Sequence, residues 1–254
     1  MLASGSSGRL SLPLGTNLSI QSDFKYEYNT YAFESVAKND AYGPRYSYQG
    51  AGHLSWRDPA QGLFGLFGGV GSTAFSGFIN SGGAKSEYVF VGGEAQAYLD
   101  NITLYAQGGY VDFDAKSPTR SGFDTLNDGL FARGVLRWFL DNGSRLQFEG
   151  TYTNVDREIA GDVDIFSAGA RYDFSLSSLP IIGAADLFLA YRGTFRNDCS
   201  FETDVNDHTF MVGFSYAFSG DRLTVDRRGA TLDTPDFNHN CATRSRVGEQ
   251  PNSG

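Results

Sequence analysis

Side chains across residues 18–218 alternate between apolar and polar with a period of two. The runs last about nine to fourteen residues each, and no helical pattern competes with them. Leu18, Ile20, Phe24, Tyr26 and Tyr28 alternate with Ser19, Gln21, Asp23, Lys25 and Glu27. Leu130, Ala132, Leu136, Trp138 and Leu140 oppose Arg133 and Arg137. Phe166, Ala168, Ala170, Tyr172 and Phe174 oppose Ser167, Arg171 and Asp173. Phe210, Val212, Phe214, Tyr216 and Phe218 oppose Thr209, Gly213, Ser215 and Ala217. Residues 63–75 are apolar or small throughout, so their parity stays ambiguous. The pattern predicts an all-β chain of about ten antiparallel strands. They exceed the roughly 5–6 residues usual in soluble domains and match the roughly 9–11 that cross a bilayer at a tilt.

Short and long connections alternate. Asp100-Asn101, Asp141-Asn142-Gly143-Ser144 and Arg57 to Gly62 are turn-like, whereas 29–44, 76–87, 114–128 and 197–207 are longer. An up-and-down meander then carries its short turns at one end and its long loops at the other, the asymmetry of an outer-membrane barrel. In a soluble barrel the apolar parity would be the core; in a membrane barrel it faces lipid, and the polar parity lines the lumen. Aromatic residues favour the membrane orientation. Trp56, Trp138, Phe174 and Phe218 lie towards the short-turn end of the apolar face, and Tyr26, Tyr46, Tyr110, Tyr152 and Phe210 towards the long-loop end. These are the positions of two interfacial girdles. Of the basic residues 16 are Arg and 4 Lys, so the exposed Lys that soluble sheets use against edge pairing is missing.

In hydrocarbon every backbone amide needs an internal partner, so a spanning sheet must close. The expected architecture is a closed up-and-down transmembrane β-barrel over residues 17–218. A periplasmic lead-in over 1–16 precedes it, and a polar, largely disordered tail over 219–254 follows, with a short ordered piece around Leu223–Val225 or occlusion of the barrel mouth as the alternatives. With about ten strands the lumen should be narrow or plugged. Arg133, Arg137, Arg145, Arg171 and Arg192 are expected to pair inside with Asp23, Glu27, Glu94, Glu149, Asp173 and Asp186, because unpaired charge there is costly. An even strand number puts both termini at the short-turn end. Met1-Leu2 leads into Ala3–Gly8 without the basic and apolar regions of a signal peptide. A net charge of -9 argues against nucleic acid as a partner. Two cysteines make no disulfide framework, and Cys199 in an outer loop is expected to stay apart from Cys241 in the tail.

The run Phe210-Met-Val-Gly-Phe-Ser-Tyr-Ala-Phe218 resembles the aromatic-ended last strand that outer-membrane assembly machinery recognises, although 36 residues follow it here. Gly52-His-Leu-Ser-Trp56-Arg57-Asp58-Pro59 with Gly62-Leu-Phe-Gly-Leu is similar to a hairpin of porin-family outer-membrane β-barrel proteins of proteobacteria. Leu10-Ser-Leu-Pro-Leu-Gly15 and Asp226-Arg227-Arg228 also look like that group. The resemblance implies residence in the bacterial outer membrane with periplasmic termini. It further implies contact with lipid bilayer, lipopolysaccharide and assembly machinery. It brings no catalytic residues and no cofactor.

Chemistry-bearing clusters are sparse. His53 and Ser55 share one face, as in outer-membrane lipid A deacylases, but on the polar parity they face the lumen. Asp112 and Asp114 with Asp207-His208 resemble the rim residues of omptin proteases, yet Asp207 and His208 are adjacent and point apart. Asp156, Glu158, Asp162 and Asp164, and Asp198, Glu202, Asp204 and Asp207, read as solvated acidic rims without Ca²⁺-site spacing. The expectation is therefore a non-enzymatic outer-membrane barrel with a structural or interaction role, or a narrow passive conduit for small solutes. A barrel enzyme and a soluble ligand-binding barrel are the alternatives.

Overall fold

The computed structural model describes residues 2–30, 45–75, 84–116, 123–124, 126–157, 161–175, 185–196, 205–216, 222–237 and 243–244. Its main body is one curled, half-barrel sheet. The strands are β1 (Leu2–Pro13), β2 (Leu18–Thr30), β3 (Arg45–Asp58), β4 (Gly62–Phe75), β5 (Ala84–Leu99) and β6 (Ile102–Lys116), then, after the short β7 (Phe123–Asp124), β8 (Leu126–Phe139), β9 (Arg145–Arg157), β10 (Gly161–Ser175), β11 (Ala185–Arg196) and β12 (Val205–Tyr216). Each main strand is antiparallel to its neighbour in chain order, with β7 passed over. The meander is therefore eleven strands wide.

That is one strand more than the alternation predicts. Leu2–Pro13, expected as a lead-in, pairs with β2 from Leu2↔Thr30 to Pro13↔Ser19. Ala3-Ser-Gly-Ser-Ser-Gly8 carries no apolar rhythm, so pattern reading passes over it. It is extended because the edge of β2 offers a row of backbone partners. The turn after it is tight, with the Leu14 amide donating to the Leu18 carbonyl at 2.8 Å and Gly15 at φ 137°. The odd count also moves the N-terminus: Leu2 lies level with Thr30 at the long-connection end, not beside the short turns. The edge strands β1 and β12 run parallel and approach within 8 Å between Cα atoms, but they share no ladder.

The two faces of the sheet have opposite polarity. Phe214, Val91 and Leu136 stand on the convex face, 75%, 59% and 36% exposed. On the concave face Arg137 is 1% exposed, and His53, Gln21, Glu94 and Thr103 are buried with it. The alternation of β8 shows this residue by residue: Phe131, Arg133, Val135, Arg137 and Phe139 point in, and Leu130, Leu136 and Trp138 point out. Among the described residues, no helix is long and apolar enough to cross a membrane.

Inward glycines seat the rings of the next strand. At Gly71 a Cβ would lie 2.3 Å from the Tyr88 ring directly across the ladder, and at Gly109 it would lie 2.9 Å from Phe131 Cζ and 2.2 Å from the Val91 carbonyl oxygen. This resolves the parity of 63–75: Leu63, Phe67 and Gly71 face in, and Phe64, Leu66 and Val70 face out. Gly109→Ala should therefore cost about 1–3 kcal/mol by overpacking against backbone that cannot yield. Gly134→Ala, where a Cβ meets nothing within 4 Å, should be close to neutral. Urea unfolding followed by tryptophan fluorescence compares the two.

Candidate functional site

The concave side is filled by the chain's own C-terminal segment. Helix α1 (Arg222–Arg228) follows β12 at the short-turn end, and residues 229–237 continue inside the sheet. Beyond them β13 (Thr243–Arg244) pairs with β7 at the long-connection end. The tail thus enters beside the short turns and runs the length of the interior. This corrects the expectation of a largely disordered periplasmic extension for Arg222–Phe237, for which the interior supplies partners at every level.

At the lowest level Arg137 Nη1 donates to Asp226 Oδ1 at 2.8 Å. The same carboxylate accepts from Thr103 and Thr231 hydroxyls, each at 2.7 Å. Arg222 pairs with Asp186 and donates to the Asp173 carbonyl at 2.7 Å. Arg145 and Arg171 share the Asp173 carboxylate at 2.8 and 2.7 Å. Leu232 closes a small apolar cluster with Leu63, Tyr98, Tyr105 and Val135.

At mid-height Asp233 meets Arg133 at 2.5 Å, Arg9 at 3.3 Å and Arg137 at 3.4 Å. Its carbonyl accepts from Tyr105 and Gln107 at 3.0 and 2.7 Å. Gln21 clamps Leu232 from both sides, donating to its carbonyl at 2.6 Å and accepting from its amide at 3.1 Å. Arg133 also pairs with Glu149 at 2.5 Å. His53 lies between Glu94 at 2.9 Å and Asp23 at 3.2 Å, while Tyr105 donates to Glu94 at 2.6 Å.

Higher still, Asp236 bridges Arg192 and Lys25, and Arg192 pairs with Glu27 at 3.1 Å. Gln49 donates to Thr234 and to the Pro235 carbonyl. Phe237 completes an aromatic cluster with Tyr88, Phe90, Phe113 and Phe131, its ring 5.0 Å from that of Phe131.

All eleven charged residues expected in the lumen lie on the concave face or in its ion pairs. Arg133 meets Glu149, Arg192 meets Glu27, and Arg145 and Arg171 meet Asp173. Arg137 and Asp186 instead find partners in the tail, and Asp23 and Glu94 find His53. Tyr26, Tyr46, Trp56, Tyr110, Trp138, Tyr152 and Phe210 stand exposed on the convex face, Phe174 is partly buried, and Phe218 lies outside the described residues. The rim chemistry is not assembled. Asp112 and Asp114 face outward on β6, five strands from the exposed His208 on β12, where Tyr191 OH lies 2.8 Å from its Nδ1. Ser55 is bound to Ser19 at 2.9 Å rather than to His53. Asp164 accepts from Tyr152 and Asn154, and no group of three His, Cys, Asp or Glu among the described residues could hold a metal ion. Glu158, Asp198, Glu202, Asp204, Cys199 and Cys241, and the side chain of Asp207, lie outside the described residues. Sequence reasoning missed Asp226, Asp233, Asp236, Leu232 and Phe237. Two isolated large apolar residues in a polar stretch were the available signal.

No protein-family model, curated protein or solved structure matches the chain.

Arg137→Leu leaves Asp226 buried without its cation and should lower stability by about 3–5 kcal/mol. Arg171→Leu should cost clearly less, because Arg145 still serves Asp173. Equilibrium unfolding in urea ranks the two.

Proposed function

We propose that the chain is an outer-membrane β-barrel protein, its curled sheet closed into a cylinder that spans the bilayer. Its lumen is a narrow conduit for small solutes that the tail occupies in the folded state. One observation carries this reading: the ionised side chains are gathered on the buried face, between two apolar clusters, while the exposed face is apolar. Leu, Val and Phe cover the convex side, and arginines and carboxylates are sealed on the concave side. Water would favour the reverse arrangement; hydrocarbon favours this one. Main strands of twelve to sixteen residues suit a tilted crossing. Trp56 stacked on Phe64, and Trp138, sit on the exposed face where an interfacial girdle would lie. The resemblance of the last strand and of the 52–66 hairpin to porin-family barrels supports the same reading. Closure follows from the medium, since the free edges of β1 and β12 would leave amides unpaired in lipid.

The chain has two tryptophans, both on the convex face. Brominated lipids should quench their fluorescence strongly in the refolded protein, and an aqueous quencher such as acrylamide should do so weakly. The opposite result rejects the membrane reading.

A second expectation separates lipid from water. Val91 stands in mid-strand, 59% exposed. Val91→Arg would be near neutral at a water-exposed site but should cost about 2–4 kcal/mol at a bilayer midplane. Unfolding from lipid vesicles, read as loss of heat-modifiable gel mobility, measures the difference.

A further inference from the structure

The interior wall carries cations that only the tail satisfies. Among the described residues, Arg137 finds carboxylates at Asp226 and Asp233, and Arg9 finds one at Asp233; no wall carboxylate reaches either. The wall's own acids are committed elsewhere: Glu94 and Asp23 to His53, Asp173 to Arg145 and Arg171, Glu149 to Arg133, and Glu27 to Arg192 and Lys25. Arg57, buried on the same face, donates Nη1 to the Gly229 carbonyl and, among the described residues, has no hydrogen-bond partner for Nε or Nη2.

The tail's anionic side chains follow one another along this wall. Asp226 sits at Arg137, Asp233 at Arg133, and Asp236 at Arg192 and Lys25. Arg133 and Arg137 are four residues apart on one strand, roughly 13 Å at 3.3 Å per residue. The tail makes no ladder with the wall. Its backbone is held by side chains of Gln21, Gln49, Tyr105 and Gln107, while the eleven-stranded ladder is continuous without it. Withdrawing it would break no sheet pairing of the main sheet.

We propose that this wall is an anion path, and that residues 226–237 hold it shut by presenting their own carboxylates at the sites a small anion would occupy. The inference rests on the membrane reading above. Arg137, Arg133 and then Arg192 with Lys25 form successive stations. With the tail in place each is neutralised. With the tail displaced Arg137 loses both of its carboxylates and is open to an anion, Arg192 and Lys25 are left with Glu27 as one acid for two cations, and Arg133 keeps Glu149.

The test uses the full-length chain refolded into planar bilayers under a KCl gradient. The unaltered protein should be nearly silent. Replacing Asp226, Asp233 and Asp236 together by Asn removes the tail's hold but keeps its shape. The open fraction should rise about a hundredfold or more, as expected when buried ion pairs lose one partner. The reversal potential should lie on the chloride side. A silent variant that is still quenched by brominated lipid would make the tail a permanent core and overturn the proposal alone. Currents that favour potassium would overturn the anion path. Absence of lipid quenching would instead reject the membrane reading. Should the triple variant not reach the heat-modifiable form, Phe237→Ala gives the same readout with all charges in place. It should open the path with chloride preference, and its silence once folded counts against the proposal.

Discussion

A guanidinium sealed inside a sheet must find a carboxylate there, and for Arg137 the nearest one belongs to a helix 89 residues further along the chain. Burying that charge unpaired would cost several kcal/mol, so the wall and the tail are not separable in the folded energetics. The same holds at Asp233, which gathers Arg9 from β1 and Arg133 and Arg137 from β8, and at Asp236, which gathers Lys25 from β2 and Arg192 from β11. The tail draws together strands far apart in the sheet order. Arg192 and Glu27 meet directly, which brings β11 and β2 face to face across the gap between the two edges.

Apolar contacts set the register of these pairs. Phe237 lies among Tyr88, Phe90, Phe113 and Phe131 towards one end, and Leu232 lies among Leu63, Tyr98, Tyr105 and Val135. Between these clusters lies the belt of His53, Glu94, Arg133 and Asp233. Charge pairing alone tolerates a shift of the tail by a residue or two, since arginine side chains are long. Two separated apolar anchors, five residues apart, do not. Gln21, which grips both the amide and the carbonyl of Leu232, fixes the backbone at the first of these anchors.

Most of the strand framework was legible because the alternation of residues such as Leu130–Trp138 has only one structural period that fits it. The polarity of the two faces was legible for the same reason: once Arg137 and Leu136 are on opposite sides, the placement of one fixes the other. Three things were not legible. β1 offers only Arg9–Leu12 as alternation, too short to read as a strand, because Ala3–Gly8 are small and their strand conformation is imposed by the β2 edge. The inward aromatics Tyr88 and Phe90 sit at positions that alternation groups with the polar set, and their place depends on glycines across the ladder at Gly71 and Gly69. The tail reads as a solvated segment because its partners are nonlocal. Asp226, Asp233 and Asp236 resemble any acidic stretch until the arginines they face are known.

The tail binds the two ends of the sheet and also fills the space between them, and these roles pull in different directions. A segment whose only task was to hold the curl would gain most from backbone pairing, which adds a strand and leaves few groups dependent on one side chain. Here residues 222–237 forgo that pairing with the main sheet, and the tail's short ladder lies beyond them, at Thr243–Arg244 with β7. Those interior residues rely on ion pairs and on amide and hydroxyl contacts such as Gln49 with Pro235 and Thr103 with Asp226. Such contacts lose strength sharply when one partner is hydrated, whereas a ladder yields strand by strand. With Arg192 paired to Glu27 and Arg133 to Glu149 independently of the tail, part of the wall's charge stays balanced when the segment leaves. Arg137 and Arg9 do not stay balanced, so the cost of leaving falls on the residues that water or a small anion could reach next.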